Sequence, residues 1–418
     1  MKTKTKRFFH KILYIFWAGL LSQNIYSQQN PNSPEMESLR FLKLEADSIS
    51  NLKVLYSFFQ ALSHTDSQSV VITHIGDSHI QGDFITDQLR KSFQHDFGNA
   101  GRGLLFPYQV ARTNGAISYK SSSGDRWEVN KIILPISSNT NGLAGISISS
   151  KMPKSYLLFQ MKDAVDSNIG SVSRLKIIYK AETDGSLKIK DWTNNDSVYI
   201  LNYSTYIDSL CIAEVSLPTP TNNFAIEFLN TGEKLFYGCI ATNNKAGIIY
   251  NQIGINGAEF RHYNQNSEFF RQLPYLDSKL LIISMGTNEA QDWKRSNEEI
   301  KMQMHTFIDS LNYYHPNTTI LLTAPIESWR GRGRRRGLNI HCKRVRDCII
   351  EVARERQVAV WDLYTIAGGY KSSFWWRRSG LFSRDMVHHS VSGYRLQGNL
   401  LYKALMDGYH QYQLENKP

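Results

Sequence analysis

The chain has 418 residues, of which 41% are hydrophobic and 20% charged, with four cysteines and a formal net charge of +11. This is globular composition with material for a large core, which excludes a disordered or fibrous chain. The length allows two or three domains, or one large domain carrying an insertion.

The N-terminus reads as an export signal. Lys2, Lys4, Lys6, Arg7 and Lys11 form a basic region, Ile12 to Leu21 an apolar one too short to span a bilayer as a helix, and Ser27 a cleavage point. Removing residues 1–27, with five cations and no anion, leaves a moderate +6. No later segment is apolar enough to span a membrane, so no stable anchor is expected after cleavage. Residues 28–36 are polar and read as loose. From Glu37 to Leu62, apolar residues at three- and four-residue steps predict a helix, broken near Asp47. Val70–Ile75 reads as a buried strand and Ile80–Phe93 as a helix.

The texture changes near Gly98. From about Trp127 to Ala241 the chain alternates with period two, as in Tyr156–Phe159, Leu175–Tyr179 and Phe224–Phe228, with turns at Thr183-Asp-Gly, Asn194-Asn-Asp and Asn230-Thr-Gly. This pattern predicts a β-sandwich. Strands then alternate with helices: strands at Ile248–Ile255, Leu280–Met285, Thr318–Thr323 and Val358–Leu363, and helices at Gly257–Leu273, Asn297–Tyr313, Asn339–Arg356 and Val391–Gln413. That order implies a parallel sheet covered on both faces, which the first strand joins. The expected division is a first α/β part at 28–100, an inserted β-sandwich at 101–246, and a second α/β part at 247–418. Cys211 and Cys239, both in the β-rich region, are open to a disulfide in an oxidising compartment. Cys342 and Cys348 lie six apart on a helix and are not.

Parallel sheets place their sites at the C-terminal ends of strands. The first strand ends in Gly76-Asp77-Ser78-His79, the second near Gly257, and the third in Gly286-Thr287-Asn288-Glu289; the last is followed by Asp385-Met386-Val387-His388-His389. These residues supply what acyl transfer needs. Ser78 is the nucleophile, His388 the base, and Asp385 the carboxylate that orients it. The backbone N–H groups of Ser78 and Gly257 and the amide of Asn288 form an oxyanion hole. The competing reading of Ser78 is an ordinary helix N-cap, and that of Asn288 a loop cap. Asp362 is the rival carboxylate, with no histidine close after it. His74 and His79 read as packed or capping residues, Asp77 as a structural turn residue, and His389 as a rim or surface residue. Phe374-Trp375-Trp376 is a sugar platform or a packed loop. Trp127 and Trp192 read as core. The run Arg330–Arg336 faces an anionic envelope polymer or is a solvated loop, and no nucleic-acid partner is expected.

Ser, Gly, Asn and His in this order, within Gly76-Asp77-Ser78, Gly257, Gly286-Thr287-Asn288 and Asp385-x-x-His388, resemble the SGNH (GDSL-type) hydrolase superfamily. The departures are His79 for a common leucine and Glu289 where many members have Asp. The long β-rich insertion is similar to that of bacterial peptidoglycan O-acetylesterases, where it resembles a carbohydrate-binding module. The resemblance implies a three-layer α/β/α fold interrupted by a β-sandwich. It also implies an exported, periplasmic or secreted esterase of an acetylated polysaccharide, with no metal or organic cofactor. An O-acetyltransferase, a xylan-type acetylesterase, and a glycan-binding protein with a vestigial hydrolase domain are the alternatives.

Overall fold

The computed structural model describes residues 39–135, 141–162, 171–181, 186–193, 196–200, 205–207, 210–229 and 231–416. The export signal read at 1–27 and the stretch 28–36 lie outside these residues, as do positions 183–185, 194–195 and 230 of the expected turns.

Strands that are apolar on both sides need cover on both faces, and a parallel sheet between helices provides it. Seven strands form this sheet: β1 (Ile49–Ser50), β2 (Ser69–Gly76), β3 (Asn99–Gly101), β4 (Gly247–Gly254), β5 (Ser278–Ser284), β6 (Thr319–Thr323) and β7 (Ala359–Trp361). Their spatial order is β1-β7-β6-β5-β2-β4-β3. All neighbours are parallel except β1, which runs antiparallel along β7. Successive side chains of a strand point to opposite layers. Leu280 and Ile282 pack with the helices Phe84–Phe97 and Val391–Glu415, whereas Leu281 and Ile283 pack with Asn297–Tyr314 and His341–Arg356. The result is the three-layer α/β/α arrangement.

The register sets the strand ends level. Gly76 of β2 stands opposite Gly254 of β4 on one side and Ser284 of β5 on the other. The three segments that leave these strands therefore emerge side by side.

The insertion is a β-sandwich. Its five-stranded sheet runs in the order Ser197–Ile200, Leu187–Asp191, Asn223–Phe228, Ser155–Met161, Tyr119–Ser122. The facing sheet is built around Leu210–Thr221, Val172–Ala181 and Lys234–Thr242, with Gly103–Leu105 alongside the last. Aromatic rings fill the space between the sheets: Phe228 lies 6.3 Å from Phe236 and 5.8 Å from Tyr179.

The sandwich does not have a core of its own. Its interior is continuous with one layer of the α/β part, through Leu143 and Tyr237 to Ile253, Phe269 and Phe307. Polar ties reinforce the seam. Leu143 N donates to Gln272 Oε1 (3.1 Å) and Leu104 N to Asn251 Oδ1 (2.8 Å). At the other end of the seam the buried Asp83 carboxylate pairs with both Arg90 (3.1 Å) and Arg102 (3.2 Å).

Several local expectations change. Residues 37 and 38 lie outside the described residues, and 39–62 are not one helix. The described segment contains short 3-10 turns, the edge strand β1, and a helix only at Tyr56–Leu62. The buried Asp47 accepts from Trp361 Nε1 (2.9 Å), and this contact holds the segment along β7. The helix expected at 80–93 is split into Ser78–Gln81 and Phe84–Phe97 by Asp83 in the left-handed region (φ 61°). The one expected at 257–273 is divided into Phe260–Asn264 and Ser267–Gln272. The strands of the sandwich begin before Trp127, with Gly103–Leu105 and Tyr119–Ser122. Trp192 is exposed rather than core, with Lys190 over its ring. Cys211 and Cys239 are free. They pair with Tyr179 and Ile177 on opposite sides of the strand Val172–Ala181, so a whole strand separates them, roughly 10 Å, beyond disulfide reach.

Gly254 is the tightest point beneath the strand ends. A Cβ there would lie 2.2 Å from Gln81 N and 2.6 Å from Gln81 Cα. Gly254→Ala should therefore push the helix Ser78–Gln81 off the sheet and cost about 1–3 kcal/mol, read as a lower urea midpoint.

Candidate active site

β2 is buried up to Gly76, and the chain turns sharply there. Asp77 caps the short helix Ser78–Gln81, its Oδ1 accepting from His79 N (2.9 Å). Ser78 is thus the first residue of a helix that starts at a strand end, and its N–H has no partner in the preceding turn. Among the described residues neither the N–H of Ser78 nor that of Gly257 donates a hydrogen bond. Gly257 has φ 79°, where a side chain is strained, and the space beside its Cα is open for 4 Å.

Three sequence-predicted residues meet in one hydrogen-bonded line. Ser78 Oγ lies 2.9 Å from His388 Nε2, and His388 Nδ1 lies 2.7 Å from Asp385 Oδ2. The other oxygen of Asp385 accepts from Ser383 Oγ (2.6 Å), Val387 N (3.0 Å) and His388 N (2.9 Å). Burial alone would raise this carboxyl's pKa. The hydrogen bonds from Ser383, His388 and the two backbone amides hold it well below the usual range instead. The three-residue spacing works because Met386 takes the left-handed conformation (φ 56°) and folds the loop back on itself.

Asn288 sits at the start of the helix Thr287–Gln291. Its Nδ2 donates to Ala258 O (2.9 Å) and, at a longer 3.3 Å, to Asp77 Oδ2. Burial pushes the Asp77 carboxyl up to about 7, against the pull of the His79 N–H and the nearby His388. Asp362 stands apart. It caps the helix Leu363–Ile366 and binds Arg346 Nε (3.0 Å) and Thr365, and among the described residues no histidine hydrogen-bonds to it.

Three other histidines near this line, His74, His79 and His389, are part of the packing. His74 is buried between Tyr250 OH (2.9 Å) and Ser284 Oγ (2.6 Å). His79 Nδ1 faces Tyr394 OH (3.0 Å), and its ring centre is 5.2 Å from that of His388. Burial, then the neighbouring His388, lower the His79 pKa to about 3, so it stays a neutral wall beside the line. His389 is buried, not on the rim. It stacks on Phe382 at 4.2 Å with Trp376 and Tyr394 at its edges, because a β-bridge between Phe382 and His389 turns it inward.

Two supporting roles, those of Gln81 and Glu289, escaped the sequence reading. Gln81 Oε1 accepts from Asn256 N (2.5 Å), while its Nε2 donates to Thr113 Oγ1 (2.8 Å) and Asn114 O (2.5 Å). It clamps the Gly257 turn to the entry segment of the insertion. Its position one helical turn after Ser78 is the signal that could have found it. Glu289 Oε1 accepts from Phe260 N (2.8 Å), fixing the chain just after Gly257.

Residues 229–396 match the model of the GDSL-like lipase/acylhydrolase family. The chain carries a GDSL-like hydrolase domain, the catalytic unit of a carboxylic ester hydrolase. The match holds Gly257, Asn288, Asp385 and His388 but starts inside the insertion, so the Ser78 block lies outside it. No curated protein matches the chain. A solved structure of a peptidoglycan O-acetylesterase is similar with a TM-score of 0.70 and 22% identity, covering 89% of this chain and 98% of that one. The GDSL-like fold with its extra β module is thus shared over nearly the whole length. A lipase/acylhydrolase from Enterococcus faecalis (TM-score 0.31, 18% identity, 38% of this chain and 77% of that one) adds nothing to the fold assignment. Nor does a family two carbohydrate esterase from Cellvibrio japonicus (0.29, 12%, 70% and 98%).

Glu289 offers a pH test. Burial raises its pKa from 4.5 to about 8, so the folded GDSL-like domain keeps a proton that the unfolded chain releases. The native state then binds more protons between these values, and stability from this group falls as pH rises from about 4.5 to 8. Glu289→Gln keeps the acceptor for Phe260 N without the ionisation. It should flatten this fall, measured as thermal midpoint against pH in both proteins.

Proposed function

We propose that the chain is an exported serine esterase that removes O-acetyl groups from a polysaccharide, peptidoglycan foremost. The observation that carries this reading is the line Ser78–His388–Asp385 at 2.9 and 2.7 Å, with two backbone N–H groups, those of Ser78 and Gly257, that donate to no described residue. The fold shared with a protein named as a peptidoglycan O-acetylesterase supports the choice of polymer. The basic and apolar segments within residues 1–27 support export. No helix among the described residues is long and apolar enough to cross a membrane.

In the first step His388 Nε2 takes the proton of Ser78 Oγ as the oxygen attacks the acetyl carbonyl. The Ser78 and Gly257 N–H groups receive the developing oxyanion, and Asn288 Nδ2 adds a third donor by giving up its longer bond to Asp77. His388 then hands the proton to the departing sugar oxygen. The low pKa of Asp385 keeps it ionised, so it stabilises the imidazolium and holds its Nδ1–H. A water activated by His388 releases acetate and restores Ser78.

Acetate release should be measured on O-acetylated peptidoglycan, acetylated xylan and a small soluble acetyl ester. Ser78→Ala should lose a factor of roughly 10⁴ or more on all of them. Retention of more than about a tenth of wild-type release would sink the mechanism. Asn288→Ala should lower kcat by about 10²-fold with little change in KM. A rise in KM at constant kcat would make Asn288 a substrate-binding residue instead.

A further inference from the structure

The arginine run is a built hairpin. Trp329–Arg330 pairs antiparallel with Gly337–Leu338, and Gly331 (φ 83°) and Gly333 (φ 55°) turn the chain between them. Arg332, Arg334, Arg335 and Arg336 are exposed. Among the described residues no ion pair forms to any of the five arginines.

This hairpin is fastened to the loop that carries Asp385 and His388. Trp329 N donates to Met386 O (2.8 Å), and Arg336 Nη2 donates to Arg384 O (2.9 Å). The helix Ser372–Arg378 lies against the same loop, with Arg377 Nη1 donating to Ser383 O (3.4 Å). The five arginines thus join Arg377, Arg378 and Arg384 on one rim of the site. Residues 39–418 carry a formal +8, the chain's +11 less the +3 of residues 1–38. Eight arginines on one rim account for all of it, so the rest of this length is neutral on balance.

Aromatic faces are interleaved with the charge. Trp329 packs edge-on to Phe374 (5.4 Å) and carries Arg336 over its ring (5.8 Å), while Arg330 lies over Trp293 (5.8 Å). Trp293, Phe374 and Trp375 are exposed, whereas Trp376 is buried with its Nε1 on Ala367 O. An exposed apolar ring face suits the C–H face of a sugar. An arginine fork suits a carboxylate in bidentate geometry.

We propose that this rim binds the carboxylates of an anionic glycan strand and so delivers its acetylated sugars to Ser78. The proposal rests on the esterase reading for its purpose, and it commits to a carboxylate-bearing glycan because ring faces and arginine forks alternate next to the loop that carries Asp385 and His388. Like charges held on a hairpin without a carboxylate partner among the described residues repel one another, and a multivalent anion relieves that repulsion. The site gains effective concentration from a rim that holds the polymer while one sugar reacts.

Binding can be separated from chemistry by using the full chain with Ser78→Ala on soluble O-acetylated, carboxylate-bearing glycan. The affinity should fall with added salt. It should drop roughly tenfold when the same glycan's carboxylates are amidated. The triple substitution Arg332→Gln, Arg334→Gln, Arg335→Gln should give a similar roughly tenfold loss and a shallower salt dependence. In the active protein the triple substitution should lower the ratio of kcat/KM on native glycan to that on a small acetyl ester by about the same factor. Unchanged affinity for the amidated glycan with the native rim overturns the proposal, and that arm needs no variant to fold. Equal or tighter binding of a single-stranded nucleic acid or of a phosphate-bearing glycan also overturns it. If the small ester is not hydrolysed while carboxylate-dependent binding persists, the esterase reading fails and the rim assignment stands.

Discussion

A Cβ on Gly76 would lie 2.4 Å from Ile80 Cγ1 and 2.5 Å from Ser284 O, and one on Gly254 would lie within the backbone of Gln81. These two missing side chains let the helix Ser78–Gln81 sit directly on the ends of three parallel strands. The rest of the site depends on that close approach. It puts the Ser78 N–H next to the turn at Gly257 and in reach of the segment that carries Asn288. Tyr263 OH closes the base of the arrangement by donating to Gly76 O at 2.7 Å. A parallel sheet makes this economical, because every strand delivers its C-terminal end to the same edge.

The electrostatics around Ser78 follow from burial. His79 and His389 are both desolvated and stay neutral, so the imidazoles beside His388 do not compete for its proton. Asp385 is the partner that remains ionised, because four hydrogen bonds offset its desolvation. Asp77 and Glu289 go the other way, raised by burial near one another. One carboxylate is thereby kept charged on the histidine side of the nucleophile, and two are pushed toward neutrality beneath the proposed oxyanion donors, where extra negative charge would oppose the reaction.

The insertion enters this balance rather than standing beside it. Gln81 links Asn256 to Thr113 and Asn114, and the Asp83–Arg90–Arg102 cluster locks the following helix to the segment entering the sandwich. A carboxylate paired with two arginines out of water is costly to break once one partner is removed. The shared apolar core makes the two parts a single packing unit, so cutting out residues 127–241 would expose Ile253, Phe269 and their neighbours.

The order of strands and helices, the break into a β-rich insertion and the candidate residues Ser78, Gly257, Asn288, Asp385 and His388 were legible in the sequence. Periodicity reports which faces are buried, and short polar blocks at strand ends stand out against apolar runs. The sequence reading could not place the stretch around Ile49–Ser50 along β7, because a helical spacing of apolar residues also suits a chain whose course is set by Asp47 and Trp361. It placed His389 on the rim, since adjacency to His388 carries no information about which way a turn points. It left open whether Cys211 and Cys239 meet, which strand order alone decides. The contacts of Gln81 and Glu289 and the attachment of the arginine hairpin to the Met386 loop were invisible for the same reason. Local spacing is encoded residue by residue, but contacts between segments far apart in the chain exist only once the sheet has set its register.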